Sequence, residues 1–192
     1  GETMLFATNA GIFRPGFIPG GLHIEDGREL TALNLRDGQG NFHLKPNGVF
    51  YIGEDGAHAV SSEAYAPSAD DLLLATQSGP MLVIDGSIHP AFQEDSQHRR
   101  VRSGVGVQSP KVVYFVLSRD LITFHQLARF FRDELGCRDA LYLDGDISSF
   151  YVPGKIENLG LGIYAGMLAA SVPAATPEAA DPAPAAPPTP AE

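Results

Sequence analysis

Asp144 is the residue with the widest chemical reach in this chain. It follows the apolar run Ala140-Leu141-Tyr142-Leu143 and precedes Gly145-Asp146-Ile147-Ser148-Ser149. A carboxylate at the end of a buried strand is held rigidly and can still face a cleft. It also costs solvation energy unless it has partners, so its presence asks for a reason. Asp-Gly closes ordinary turns as well, and the segment alone leaves both readings open.

Three further segments are too polar or too rich in glycine for their apolar surroundings. Thr8-Asn9-Ala10-Gly11-Ile12-Phe13 ends a strand. Asn9 offers an acceptor and two donors there, and Gly11 permits close approach of another backbone. Gln77 and Ser78, in Thr76-Gln77-Ser78-Gly79-Pro80-Met81, could hold hydroxyls or bond to nearby loops. The stretch from Arg99 to Val107 brings three arginines into a glycine-rich strand. Arg102 lies beside Ser103 and Gly104, and its planar guanidinium suits a carboxylate or phosphate. A solvated basic turn is the plainer alternative, but a local basic cluster stands out in a chain of net charge -10.

Other chemistries find little support. The six histidines (23, 43, 58, 89, 98 and 125) contain no pair at zinc-ligand spacing, and they read as structural or surface residues. His125, in a first helical turn, is expected to be exposed. Serines 78, 103, 148 and 149 lack the G-x-S-x-G elbow of a serine hydrolase. Gly104-Val105-Gly106 is followed by no Lys-Ser/Thr, so it is no nucleotide P-loop. Cys137, the single cysteine, reads as a small buried side chain and allows no internal disulfide.

Hairpins must position these groups. Turns are expected at Asn47-Gly48 (between 40–45 and 48–52), at Glu54-Asp55, at Asp85-Gly86 and at Ser109-Pro110. One helix is marked by a Thr123/Gln126 capping box. Its apolar face is Phe124, Leu127, Ala128, Phe131 and Leu135, and its stop is Gly136. It joins the strand ending near Leu117 to Ala140–Leu143, a βαβ arrangement that predicts two parallel neighbouring strands. The fold class expected is therefore α+β: a strand-rich mixed sheet built from hairpins, plus at least one βαβ unit with a helix at about 123–135.

A length of 192 residues with 44% hydrophobic content supports one domain, assigned to 1–171. Residues 172–192 are rich in Pro and Ala, lack large apolar side chains and read as a disordered tail. No run approaches the roughly 20 apolar residues of a membrane span. The acidic balance argues against general nucleic-acid binding. The chain opens Gly1-Glu2-Thr3-Met4-Leu5-Phe6, almost directly into a strand. That start suggests a removed leader or further N-terminal strands.

The four polar segments, in this order, resemble the phosphodiester glycosidase domain family, which includes the lysosomal uncovering enzyme. The resemblance rests on Asn9-Ala10-Gly11-Ile12-Phe13, Gly79-Pro80-Met81-Leu82, Arg102-Ser103-Gly104-Val105-Gly106 and Leu143-Asp144-Gly145-Asp146. Gly40–Phe42 and Lys45–Phe50 bring it closest to a bacterial branch of uncharacterised exported proteins. It spans roughly Ala7 to Gly166. Asp146 stands where many relatives carry a second glycine, and the resemblance implies that the N-terminal part of the family domain lies outside this sequence.

The resemblance implies hydrolysis of a sugar-1-phosphodiester at the anomeric carbon, on an exported or cell-envelope glycoconjugate, by a periplasmic or secreted protein. Phosphate is a weakly basic leaving group, so the work left is to hold it and to stabilise an oxocarbenium-like transition state. Arg102 is then the phosphate clamp. Asp144 is base, nucleophile or charge stabiliser. Asn9, Gly11, Gln77, Ser78, Gly145 and Ser148 line or support the substrate site. Asp146, Asp85 and Glu63 are candidates for a second carboxylate. No cofactor or catalytic metal is implied, and a structural divalent cation stays open. Two alternatives remain: a non-catalytic carbohydrate- or phosphate-binding module, and a metal-dependent phosphodiesterase using Asp144, Asp146 and Asn9.

Overall fold

The structure, a computed structural model, describes residues 1–144, 147–158 and 164–174. In chain order its strands are β1 (Glu2–Asn9), β2 (Phe13–Arg14), β3 (Ile18–Pro19), β4 (His23–Glu25), β5 (Arg28–Thr31), β6 (Gly48–Gly53), β7 (Gly56–Ser61), β8 (Leu72–Ser78), β9 (Met81–Ile84), β10 (Ser87–Ile88), β11 (Ser103–Ser109), β12 (Val112–Leu117), β13 (Asp139–Tyr142), β14 (Phe150–Val152), β15 (Ile156–Asn158) and β16 (Met167–Pro173). Helix α1 (Phe124–Arg129) continues as a wider π turn through Phe130–Glu134.

Three sheets carry the architecture, in the orders β10-β9-β13-β11-β12, β5-β4-β8-β6-β7 and β15-β14-β1-β16. The first is central. One face packs Met81, Val105, Leu141 and Leu143 against Phe50, Ala57 and Ala59 of the second sheet. Its other face packs Leu82, Ala140 and Tyr142 under Leu127, Ala128 and Phe131 of the helix. Odd residues of β13 thus face the partner sheet and even ones face the helix, as the two-residue strand period requires. The third sheet meets the first through Phe6, whose ring lies 5.2 Å from Phe115 of β12 and, within its own sheet, 5.6 Å from Phe150.

Two expectations need correcting. Every strand pair among the described residues is antiparallel, so the sheets are not mixed. The strands flanking the helix, β12 and β13, run the same way but are not neighbours, because β11 lies between them and pairs with both. The cause is visible in the core. A central sheet covered on both faces reads as continuous apolar runs, the pattern that parallel sheets also give. Asn47-Gly48 makes no hairpin either: Asn41–His43 forms a 3₁₀ turn, and Asn47 Nδ2 donates to the Phe42 carbonyl at 2.9 Å. The other three expected hairpins form as β6/β7, β9/β10 and β11/β12.

The helix begins as expected. The Thr123 hydroxyl accepts from Gln126 N at 3.1 Å, and Gln126 Oε1 accepts from Thr123 N at 3.0 Å. Gly136 ends it with φ +62°, a left-handed conformation that glycine adopts without steric cost. At the far end, β16 carries Val172 and Pro173, and Ala174 N donates to the Gly1 carbonyl at 2.9 Å. Residues 175–192, most of the expected tail, lie outside the described residues.

Candidate functional site

The Gly-x-Gly of β11 serves the helix. A side-chain carbon at Gly104 would stand 3.0 Å from Phe131 and from the Leu141 carbonyl, and one at Gly106 would overlap the Phe131 ring outright. The two glycines let the aromatic ring press on the backbone, which draws the helix onto this face of the sheet. Arg102 lies on that same face, two residues before Gly104, at the helix's first turn.

Arg102 is 3% exposed. Its Nε donates to the Ile122 carbonyl at 2.9 Å and its Nη2 to the His98 carbonyl at 3.0 Å. Its guanidinium carbon sits 3.7 Å from the Phe124 ring centroid and 5.7 Å from that of Tyr142. Burial pulls its pKa down, Tyr142 pushes it back up by charge and hydrogen bonding, and Arg100 adds to the depression. No carboxylate among the described residues pairs with it. The guanidinium stays charged throughout.

A cavity of about 490 Å³ opens at this group. Its wall includes Arg100, His98, His125, Phe92, Phe124 and Tyr142. No Asp or Glu among the described residues lines it. Phe92 stacks on Phe124 at 5.0 Å and on His89 at 4.7 Å, so an aromatic row backs the cavity. A second, more open hollow of about 550 Å³ adjoins it through Phe92 and His125.

Asp144 follows β13 directly. Gly104 pairs with Tyr142, and Leu143 N donates to the Ser103 carbonyl at 3.1 Å. One more step of this register sets Asp144 across from Arg102, and directly opposed residues project to the same face. Asp144 is partly buried. Its main chain is fixed from several sides: the Ser103 hydroxyl donates to its carbonyl at 2.8 Å, and the Ser148 hydroxyl donates to the same carbonyl.

Asn9 completes this knot from inside. Its Nδ2 donates to Ser103 Oγ at 3.1 Å and to the Ala10 carbonyl at 3.2 Å, and its Oδ1 accepts from Ser149 N at 3.2 Å. Ser148 Oγ lies 3.2 Å from Ser103 Oγ. The asparagine is 1% exposed and joins β1, β11 and the segment after β13. Gln77, also 1% exposed, is saturated: Oε1 accepts from Leu22 N and Asn34 N at 2.9 Å each, and Nε2 donates to the Asn34 carbonyl and Ser62 Oγ. Ser78 donates to the Leu143 carbonyl and accepts from Ile12 N. Gly11 lies so close to the Gln77 carbonyl that a side chain there would collide with backbone.

The structure therefore divides the expected site residues. Arg102 faces the cavity, and Asp144 shares its side of the sheet. Asn9, Gln77, Ser78 and Gly11 are internal braces, and Ser148 supports Asp144 through its backbone. Gly145 and Asp146 lie outside the described residues. Asp85 and Glu63 are absent from the cavity wall. His125 is half-buried there, where an exposed surface residue was expected. Phe92, Phe124, Tyr142 and His98 were not singled out either. Phe124 bears the helix's apolar signature, and its position at the first residue after the cap is the one sign that it faces an opening.

Comparison with known proteins follows this geometry. The family model described as phosphodiester glycosidase matches residues 2–170. The uncharacterized protein YigE of Escherichia coli (strain K12) is 38% identical over 148 residues, which cover 77% of this chain and 58% of that protein. Among solved structures, the fold is similar to the catalytic domain of zebrafish N-acetylglucosamine-1-phosphodiester alpha-N-acetylglucosaminidase, auto-inhibited by its pro-peptide. That match has a TM-score of 0.57 and 20% identity, and covers 82% of this chain and 56% of the other. The chain thus spans little more than half the length of either.

Proposed function

The chain belongs to the phosphodiester glycosidase family, and from that premise we propose that it hydrolyses a sugar-1-phosphodiester between the anomeric carbon and the phosphate oxygen. One observation carries the reading: a buried guanidinium at a cavity, with no carboxylate partner among the described residues. An uncompensated buried charge costs several kcal/mol. Two carbonyl bonds and a ring contact worth about 0.5–2 kcal/mol offset part of that. An anionic ligand would offset the rest. A phosphodiester carries one negative charge, and the cavity falls in the size range of small-ligand sites.

In this mechanism Arg102 holds the phosphate and stabilises charge as the bond to the sugar breaks. Asp144 faces the positive charge that develops at the anomeric carbon. Ser103, Ser148 and Asn9 fix its backbone. A substrate on an exported or cell-envelope glycoconjugate, met in the periplasm or outside the cell, is what the motif resemblance implies. The step uses no metal, and activity is expected to survive a chelator.

The methyl phosphodiester of α-N-acetylglucosamine 1-phosphate is a direct test, following the zebrafish enzyme's substrate class. Arg102→Gln should lower kcat/KM by about 10²-fold or more. Arg102→Lys should recover little of it, because a lysine cannot keep both carbonyl bonds and the stacked plane. Asp144→Asn should abolish turnover and leave binding. A second reading, a binding module, draws on the lack of Asp or Glu among the described residues of the cavity wall. Tight binding of the ester without turnover by the unaltered chain would favour it.

A further inference from the structure

The phosphodiester reading leaves one role open: something must take the proton of the water that bonds to the anomeric carbon. The cavity wall offers no carboxylate among the described residues, and Asp144 is needed beside the developing positive charge. What the wall does offer is imidazole, from His98 and His125. The two differ in how they are held. His98 sits on the loop before β11 and is exposed. His125 is half-buried in the first turn of α1, between Thr123 and Gln126, whose reciprocal bonds fix that turn. Arg99 adds a bond to Gln126 Oε1 at 3.1 Å. His125 is also common to both hollows, so it stands where the cavity at Arg102 meets the more open one.

Resting on the phosphodiester reading, we propose that His125 is a catalytic residue, the base that receives the proton from the attacking water. The water oxygen bonds to the anomeric carbon as its proton passes to the imidazole. The bond between that carbon and the phosphate oxygen breaks, and its electron pair stays on the phosphate, which leaves as a monoester at Arg102. The imidazolium then returns its proton to solvent through the open hollow. Imidazole is the side chain most often used as a general base near neutral pH. The charged and titratable groups around it are Arg100, Arg102, His98 and Tyr142 on one side and His89, Glu94, Arg129 and Arg132 on the other.

The test is the pH dependence of kcat/KM for the methyl phosphodiester of α-N-acetylglucosamine 1-phosphate. The unaltered chain should show an acid limb that lies above the carboxylate range. His125→Gln should lose that limb and lower kcat about 10²-fold, with KM changed less than about threefold. A limb confined to the carboxylate range below pH 5 in the unaltered chain would overturn the proposal, and needs no variant to fold. So would a limb that persists in His125→Gln, or one that vanishes in His98→Gln instead. In those cases loss of turnover in Arg102→Gln still upholds the phosphodiester reading. No turnover by the unaltered chain sinks that reading and this inference with it.

Discussion

Gln77 holds two segments against the second sheet with one amide. Its four bonds reach Leu22, both backbone groups of Asn34, and Ser62, in a place only 1% exposed. Gln77→Leu keeps the volume and strands those partners, each costing about 1–3 kcal/mol when left buried without a bond. We expect a loss of ~3 kcal/mol or more, read as a lower urea midpoint at unchanged slope. The sequence marks Gln77 as a polar residue in an apolar strand. It does not say whether the partner is substrate or protein, because an amide satisfies either equally well. The same ambiguity covers Asn9 and Ser78. Arg102 stood out in the sequence for a different reason, as part of a local basic cluster in a chain of net charge -10; its burial is what the structure adds.

Helix α1 depends on absent side chains in β11. Gly106→Ala would put a methyl group into the Phe131 ring, which is fully buried. Overpacking of this kind costs about 1–3 kcal/mol. The pair Gly106→Ala with Phe131→Leu should recover part of that loss, and a double-mutant cycle in urea would show the coupling. Because the helix also seats Arg102 through the Ile122 carbonyl and the Phe124 ring, the single variant should weaken phosphodiester binding as well. The helix itself was readable to within a few residues from its cap, its apolar face and its glycine stop. Its neighbours were not. Connection length fixes the direction of β12 and β13, but nothing local records that β11 enters between them. Pairing across the sheet is decided by packing on both faces, and both faces here are apolar.

His89 links the stability of the whole molecule to pH. It is 2% exposed, its Nδ1 accepts from Ala91 N at 3.1 Å, and its Nε2–H therefore donates to the Lys45 carbonyl at 3.0 Å. This fixes a neutral ring. Burial lowers its pKa below the ordinary 6.5, with the Lys45 carbonyl opposing. The unfolded chain then binds the proton first, so stability is full above about pH 6.5 and declines as pH falls from there toward the folded-state value. Urea midpoints at pH 7.5, 6 and 5 should fall in that order, and His89→Gln should flatten the lower part of the curve. Since His89 stacks on Phe92, the cavity wall should loosen over the same interval. A last consequence follows from the knot at Ser103. Its ties reach 94 residues back to Asn9 and 41 forward to Asp144, and Asn9 in turn grips Ser149, 140 positions away. No contiguous fragment short of that span can assemble the apparatus. A growing polypeptide therefore cannot close this knot until Ser149 has been added, so the earliest strand of the sheet waits for residues near the end of the chain before its asparagine is satisfied.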